Sequence, residues 1–396
     1  MNTGSRAGWP LSLAAAILLL AQGGRTASPS PSPPRPPAEG RISLVAEYRD
    51  DILGDISADG RHLLLYRTEQ PTRSYTLPLT GGGRAAAPGP TRGDVLRVVE
   101  RETGREVGRT GVRFFPLGAQ FIPGTREVFY GEPAPPPAVA WQYKIWDPPS
   151  GRTRLCFDAP EGNLASLAFL DSRRAVGVVS KKDGGELLAS VNLADCTRAV
   201  LGPADPEYPQ GRTWSGLQLS PGGGFLAYTT YAGSELFIWD LAAGRVARKL
   251  TAEPLAFGDK LAYSPDGKLL IVAASANPLA AGAKNYLLFY DTQDFRRVRT
   301  LEVPELSAIA VSPDNSLLAV GLLNRRPGAP PADSGTPGIV LYDLADGRAV
   351  ARVSPPAGGE PRTDPLAAKI NRLAFTPDAR GLLSVAGHTH MWRIDR

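Results

Sequence analysis

The chain has 396 residues, 42% hydrophobic and 21% charged, an ordinary globular balance with enough apolar side chain to bury a large core. The formal net charge is +5, and without the first forty residues it is 41 basic against 38 acidic groups, or +3. That is too mild and too evenly spread to mark a nucleic-acid surface.

The N-terminus reads as a secretory signal over residues 1–23. Arg6 supplies the positive charge, Leu11 to Ala21 an apolar run, and Ala21-Gln22-Gly23 small residues for cleavage. The apolar run is too short to span a bilayer, which takes about twenty residues, so no transmembrane span is expected after cleavage; an uncleaved anchor is the alternative. No cysteine stands near the cleavage point to carry a lipid. Residues 24–41, with Ser28 to Gly40 rich in proline, form a semi-rigid spacer. A ligand for a proline-reading domain is the sharper reading of the same stretch. The expected location is therefore exported, periplasmic or extracellular.

From residue 42 to 396 one phrase recurs. An apolar run meets a Ser-Pro-Asp-Gly turn, a second run follows, and a third ends in an aromatic residue and Asp, then a Gly turn. The turn reads Ser57-Ala58-Asp59-Gly60, then degenerately Ile122-Pro123-Gly124-Thr125 and Leu170-Asp171-Ser172-Arg173. It is clear again from Ser220, Ser264, Ser312 and Thr376. The runs are short and rich in Val, Leu, Ile, Phe and Tyr, as buried strands are. Proline presets the second turn position, and Asp and Gly meet its polar and left-handed needs. Asp147, Asp240, Asp291, Asp343 and Asp395 end the third runs and are read as turn caps accepting backbone N–H bonds.

Seven copies of four strands predict an all-β fold, a seven-bladed β-propeller with four-stranded antiparallel blades. The chain stops in the third strand of its last copy, at Met391 to Asp395. Ile42 to Tyr48 is then the strand that completes this blade and closes the ring, hiding its edges.

Ile238-Trp239-Asp240-Leu241 and Ile145-Trp146-Asp147, with the Ser-Pro-Asp-Gly turns, resemble WD-repeat proteins and the related secreted propellers with Ser-Pro-Asp-Gly repeats. The resemblance covers the whole body from residue 41 onward. It implies a binding platform, although some propellers of this kind are enzymes. Gly-His stands only at Gly387-His388, so the buried histidine network of strict WD repeats is mostly absent. That departure favours a bacterial type of secreted propeller.

In such a ring the turns after the first and third strands open on one face, and they are uniformly short here. The long segments are Glu69 to Gly93, Glu132 to Ala140, Asn277 to Lys284 and Asn324 to Pro337 within blades, and Gly202 to Thr213 and Ser354 to Ala368 between blades. All open on the other face, where function on a rigid scaffold concentrates; neutral insertion is the plain alternative. Tyr75, Trp141, Tyr208, Tyr231, Arg325 and Arg326 are the binding candidates there, with Trp214 a packing residue, because aromatic and arginine side chains dominate hot spots.

His388 and His390 have the alternation that points two histidines one way on a strand, the weak metal candidate. Asp50, Asp51 and Asp55 match no calcium loop. Cys156 and Cys196 lie near the outer edges of neighbouring copies; they either pair or lie beyond bonding range. No nucleophile elbow, phosphate loop, dinucleotide fingerprint or zinc-protease motif occurs, so no catalytic residue and no cofactor is assigned. The expected function is a monomeric, exported protein-binding module, its partner a protein or cell-envelope component. The rival is a periplasmic propeller enzyme, lactonase-like or quinone-dependent, with its site in the central channel, and a third reading is a plain structural spacer.

Overall fold

Among the described residues, alternating runs of β-branched and aromatic residues between tight turns form 28 strands in seven four-stranded antiparallel sheets. The computed structural model describes residues 42–67, 94–113, 117–135, 140–159, 162–181, 186–203, 214–230, 235–276, 284–304, 306–322, 338–356 and 370–395. The predicted signal segment, residues 1–23, and the predicted spacer, residues 24–41, lie outside them.

The first strand, β1 (Ile42–Tyr48), belongs to the last blade. Blade 1 is β2 (Asp51–Ile56), β3 (His62–Arg67), β4 (Val95–Glu100) and β5 (Glu106–Gly111). Blade 2 is β6 (Leu117–Phe121), β7 (Val128–Pro133), β8 (Trp141–Asp147) and β9 (Arg152–Ala159). Blade 3 is β10 (Gly162–Phe169), β11 (Arg174–Lys181), β12 (Glu186–Asn192) and β13 (Thr197–Pro203). Blade 4 is β14 (Trp214–Leu219), β15 (Phe225–Thr230), β16 (Glu235–Asp240) and β17 (Arg245–Thr251). Blade 5 is β18 (Ala256–Tyr263), β19 (Leu269–Ser275), β20 (Asn285–Asp291) and β21 (Arg297–Val303). Blade 6 is β22 (Leu306–Val311), β23 (Leu317–Leu322), β24 (Gly338–Asp343) and β25 (Ala349–Val353). Blade 7 is β26 (Arg372–Phe375), β27 (Gly381–Ala386) and β28 (His388–Ile394), completed by β1. Ile42 pairs with Ile394 and Tyr48 with Thr389, so the ring closes by exchange between the two ends of the body, as the sequence predicts.

The core is divided among the interfaces. Seven apolar clusters form, one between each pair of neighbouring blades. Trp146 and Tyr130 pack against Leu64 and Leu96 between blades 1 and 2, while Leu383 and Val385 meet Leu53 and Leu65 where blade 7 meets blade 1. Seven interfaces for seven blades is the arithmetic of a closed ring.

The recurring turn explains its own sequence. Ser57 Oγ accepts the N–H of His62 at 2.9 Å and donates to Asp59 at 2.6 Å. Ser264 does the same with Leu269 and Asp266, and Ser312 with Leu317 and Asp314. Thr376 accepts from Gly381 and donates to Asp378, and Ser220 accepts from Phe225. The fourth turn residue takes a positive φ at Gly60, Gly223, Gly267, Asn315 and Ala379. In the degenerate second copy the positive φ falls instead on Gly124, after Pro123, the pattern of a type II turn.

The third-strand aspartates cap as expected in three copies: Asp240 accepts from Ala242 and Ala243, Asp291 from Gln293 and Asp343 from Ala345. Asp147 takes the Ser150 hydroxyl, and Asp395 takes Arg393.

Candidate functional site

Antiparallel topology sends the connections between second and third strands, and between blades, to one face. Every internal stretch outside the described residues joins strand ends there. What the structure shows of this face is the stems that carry its loops, and in blades 1, 2 and 4 these are held by charged pairs at the strand ends.

In blade 1 the residue at each end of the 68–93 segment is tied down. Asp51, fully buried at the start of β2, accepts two bonds from Arg67 at 3.0 and 2.9 Å and two more from Arg97. The hydrogen bonds to Asp51 hold the Arg67 guanidinium above its ordinary range. Tyr66 donates to Asp94 at 2.8 Å, and Asp94 is buried in turn. In blade 2, buried Glu132 accepts from Lys144 Nζ at 2.6 Å and from the backbone N–H of Arg113, in the link from blade 1, at 2.9 Å. Burial, with Glu132 close by, pushes the Tyr130 phenol up to about 12. In blade 4, Glu235 pairs with Lys249 at 2.9 Å. Carboxylates this buried are retained only when paired, because an uncompensated charge costs several kcal/mol. These pairs therefore stiffen the loop stems.

The channel wall is made by the first strand of each blade. Asp55 follows a bulge in β2 at Gly54 and accepts the N–H of Phe121 in blade 2 at 2.9 Å. Its other oxygen lies 3.7 Å from Arg372 in blade 7. Burial raises its pKa, opposed by Arg372 and the Phe121 N–H. Asp259 in blade 5 pairs with its neighbour Lys260. The described carboxylates of these strands are thus each engaged, and Asp55 and Asp259 stand on different blades rather than as the close pair that acid–base catalysis needs.

His388 and His390 lie on β28, the third strand of blade 7, and so off the channel strand. Their rings are 6.4 Å apart. His388 Nδ1 accepts the N–H of Asp50 at 3.0 Å. His390 is buried, and desolvation holds its pKa below the ordinary range despite Glu47, 3.9 Å away on β1. Glu47 is the acidic neighbour that local sequence could not reveal, since cross-strand register places it. Among the described residues no group of three or more His, Cys, Asp or Glu side chains is arranged to hold a metal ion.

Of the predicted binding residues, Trp141 opens β8 at the loop-bearing end, half-buried against the cluster between blades 2 and 3. Trp214 opens β14. Tyr75, Tyr208, Tyr231, Arg325 and Arg326 lie outside the described residues. Cys156 on β9 and Cys196 in the turn after β12 are joined by a disulfide that links blade 2 to blade 3, with α-carbons 5.0 Å apart. Cys196 has a φ of 60°, the left-handed place that Gly151, Gly244 and Gly347 fill in the corresponding turns of other blades. The sequence reading weighed Asp51 only against a calcium loop and passed over Asp94 and Glu132. Asp94, next to the long segment from Glu69 to Gly93, and Glu132, at the head of a proline-rich one, leave a faint signal; Asp51 stands beside no insertion and leaves none.

No protein-family model and no curated protein sequence matches the chain. Solved structures do. The β-propeller domain of Myceliophteria thermophila Cps50 (Swd1) superposes with a TM-score of 0.60 at 12% identity, over 89% of this chain and 99% of that one. Hydrazine synthase of Kuenenia stuttgartiensis gives 0.60 at 13% identity, over 90% and 97%. A chain of the mitotic checkpoint complex gives 0.55 at 14%, over 96% and 99%. At such identities the likeness shows the fold, a WD40-like seven-bladed propeller. Among the described residues no helix is long and apolar enough to cross a membrane.

Proposed function

We propose that this protein is an exported binding platform, a secreted propeller of the Ser-Pro-Asp-Gly type that engages a protein or cell-envelope component through its loop-bearing face. The observation that carries the reading is the contrast between short, self-satisfied turns on one face and long insertions on the other, those of blades 1 and 2 with stems pinned by Asp51, Asp94 and Glu132. A rigid frame presenting variable loops is how scaffold folds carry recognition. Export to the periplasm or beyond is supported by the N-terminal signal pattern and by the Cys156–Cys196 bridge, since disulfides persist in oxidising compartments. Two of the similar folds suit a protein partner: one carries the name of a complex, and the other is a WD40-type domain.

The enzyme reading has one similar fold to its credit, the hydrazine synthase, but the engaged carboxylates of the channel strands and the off-channel position of both histidines weigh against it. Metal analysis and absorbance of the mature protein from Gly40 onward test the choice. Apo protein is the expected outcome, together with binding that is lost when residues 324–337 are replaced by a short Gly-Ser link. A stoichiometric metal or a quinone chromophore overturns the platform reading.

A further inference from the structure

Between blades 1 and 2, on the turn face, lies a cavity of about 360 Å³. It sits opposite the loops, so it stands apart from the reading above. It arises where two neighbouring turns depart from the repeat. In the other clear turns the second residue is proline: Pro221, Pro265, Pro313 and Pro377. That ring reaches toward the next turn around the propeller. Pro377 of blade 7 is so close to Gly60 of blade 1 that a Cβ there would stand 2.8 Å from its ring, and Pro221 of blade 4 approaches Gly267 of blade 5 in the same way, at 3.9 Å. Blade 1 has Ala58 instead, and a Cβ on Gly124, the turn glycine of blade 2, would meet nothing within 4 Å. Ala58 and Gly124 both line the cavity. Its volume is the room left by a missing pyrrolidine ring and a degenerate neighbouring turn.

The walls are mostly apolar: buried Val98 and Phe121, Val107 and the Pro148-Pro149 turn line the cavity, with Ser57, His62 and Thr125 among them. Pro148 closes in because Gly108 beneath it has no side chain; a Cβ there would lie 2.1 Å from the Pro148 carbonyl oxygen. The rim is cationic. Arg61 and Arg126 line it, both exposed, and among the described residues neither guanidinium has a carboxylate within ion-pairing distance. The one carboxylate at the rim, Asp59, already accepts from the Ser57 hydroxyl and the Arg61 N–H. A largely apolar slot of small-ligand size, with two guanidiniums at its mouth that lack an ion-pair partner among the described residues, matches one chemistry, an apolar body carrying an anionic head.

We propose that this interblade cavity binds a small organic anion, an aromatic or aliphatic carboxylate whose body lies against Phe121 and Val107 and whose head meets Arg61 and Arg126. The test is calorimetric titration of the full chain with 4-phenylbutyrate and with its neutral counterpart 4-phenylbutanol. One-to-one saturable binding is expected for the carboxylate, at least about tenfold tighter than for the alcohol. Ala58→Pro restores the ring that the sister turns carry, at a position where proline is favoured, and is expected to weaken binding by at least about tenfold. Val107→Phe fills the slot from another lining position and is expected to do the same, and Arg61→Gln with Arg126→Gln to abolish the preference for the carboxylate. Thermal melts confirm that each variant folds. Equal affinity for the alcohol, binding that survives both filling variants, or no saturation by about 10 mM overturns the proposal. Loss on replacing loop 324–337 also overturns it, because that would place the ligand on the other face.

Discussion

On the turn face, five hairpins use the same hydroxyl in the same way, and four add the same aspartate. On the loop-bearing face the stems of blades 1 and 2 share no such common device: two arginines meet on Asp51, a tyrosine on Asp94, a lysine and a backbone N–H on Glu132, and only the glutamate–lysine pairing returns, at Glu235 in blade 4. The repeated solution answers a geometric need common to every blade, a tight reversal between two strands. The irregular one answers what each blade carries. Repetition therefore marks structure in this chain, and departure from it marks where to look for recognition. The missing proline at Ala58 is a departure within one of the five turns that keep the hydroxyl device.

The sharpest break of this contrast is Asp51→Ala, which leaves Arg67 and Arg97 without their shared buried carboxylate. A loss of about 3–5 kcal/mol is expected in chemical denaturation; a change below about 1 kcal/mol would show that the stem pairs are incidental. Next is the Cys156–Cys196 bridge, which spans 40 residues. Reducing it is expected to cost about 2–4 kcal/mol, read as a fall in the denaturation midpoint. Cys196→Gly should lose about 1 kcal/mol less than Cys156→Ala, since glycine accepts the left-handed backbone at that turn. Ser312→Ala removes a fully buried hydroxyl that serves both Leu317 and Asp314. It should cost about 1–3 kcal/mol, and Ser264→Ala about as much if the turns are equivalent.

The smallest effect is a difference in sign with pH. The Ser264 hydroxyl and the Lys268 N–H hold Asp266 below the ordinary carboxylate range, against its burial. Its contribution is present above the unfolded value near 3.8 and fades as the pH falls through the folded value. Asp55 is the reverse. Its folded pKa is raised by burial from 3.8, so the folded state binds more protons there and stability falls as the pH rises above that value. Asp266→Asn should be less stable than the parent at pH 7, with the gap closing in acid. Asp55→Asn should gain on the parent as the pH climbs from 4 to 7. Matched urea midpoints across that range decide both, and the same slope for the two variants would contradict the assignment.

Much of the fold was legible because a propeller repeats it. Seven turn signals, third runs ending in Asp, and a final copy lacking its fourth strand gave blade number, strand order and closure by Ile42 to Tyr48. The degenerate copies at Ile122 and Leu170 were placed by spacing rather than motif, and the structure gives them turns of their own. The site was far less legible. Asp51 reads as one of three aspartates in a polar stretch until the fold brings Arg67 and Arg97 to it from 16 and 46 residues away. Glu47 reaches His390 only through pairing of the two chain ends. The cavity beside Ala58 is visible in the sequence only as an alanine where sister turns have proline, a signal whose meaning depends on knowing that neighbouring turns touch.

The central claim, that recognition belongs to the loop-bearing face, is tested most directly by placing a photo-crosslinking residue at Trp141 on that face and, separately, at Ser150 on the turn face, in the source cells. A single protein or envelope component captured from position 141 and absent from position 150, then shown to bind again as a purified species, is the expected result. Equal capture from both positions, or capture from position 150 alone, would contradict it.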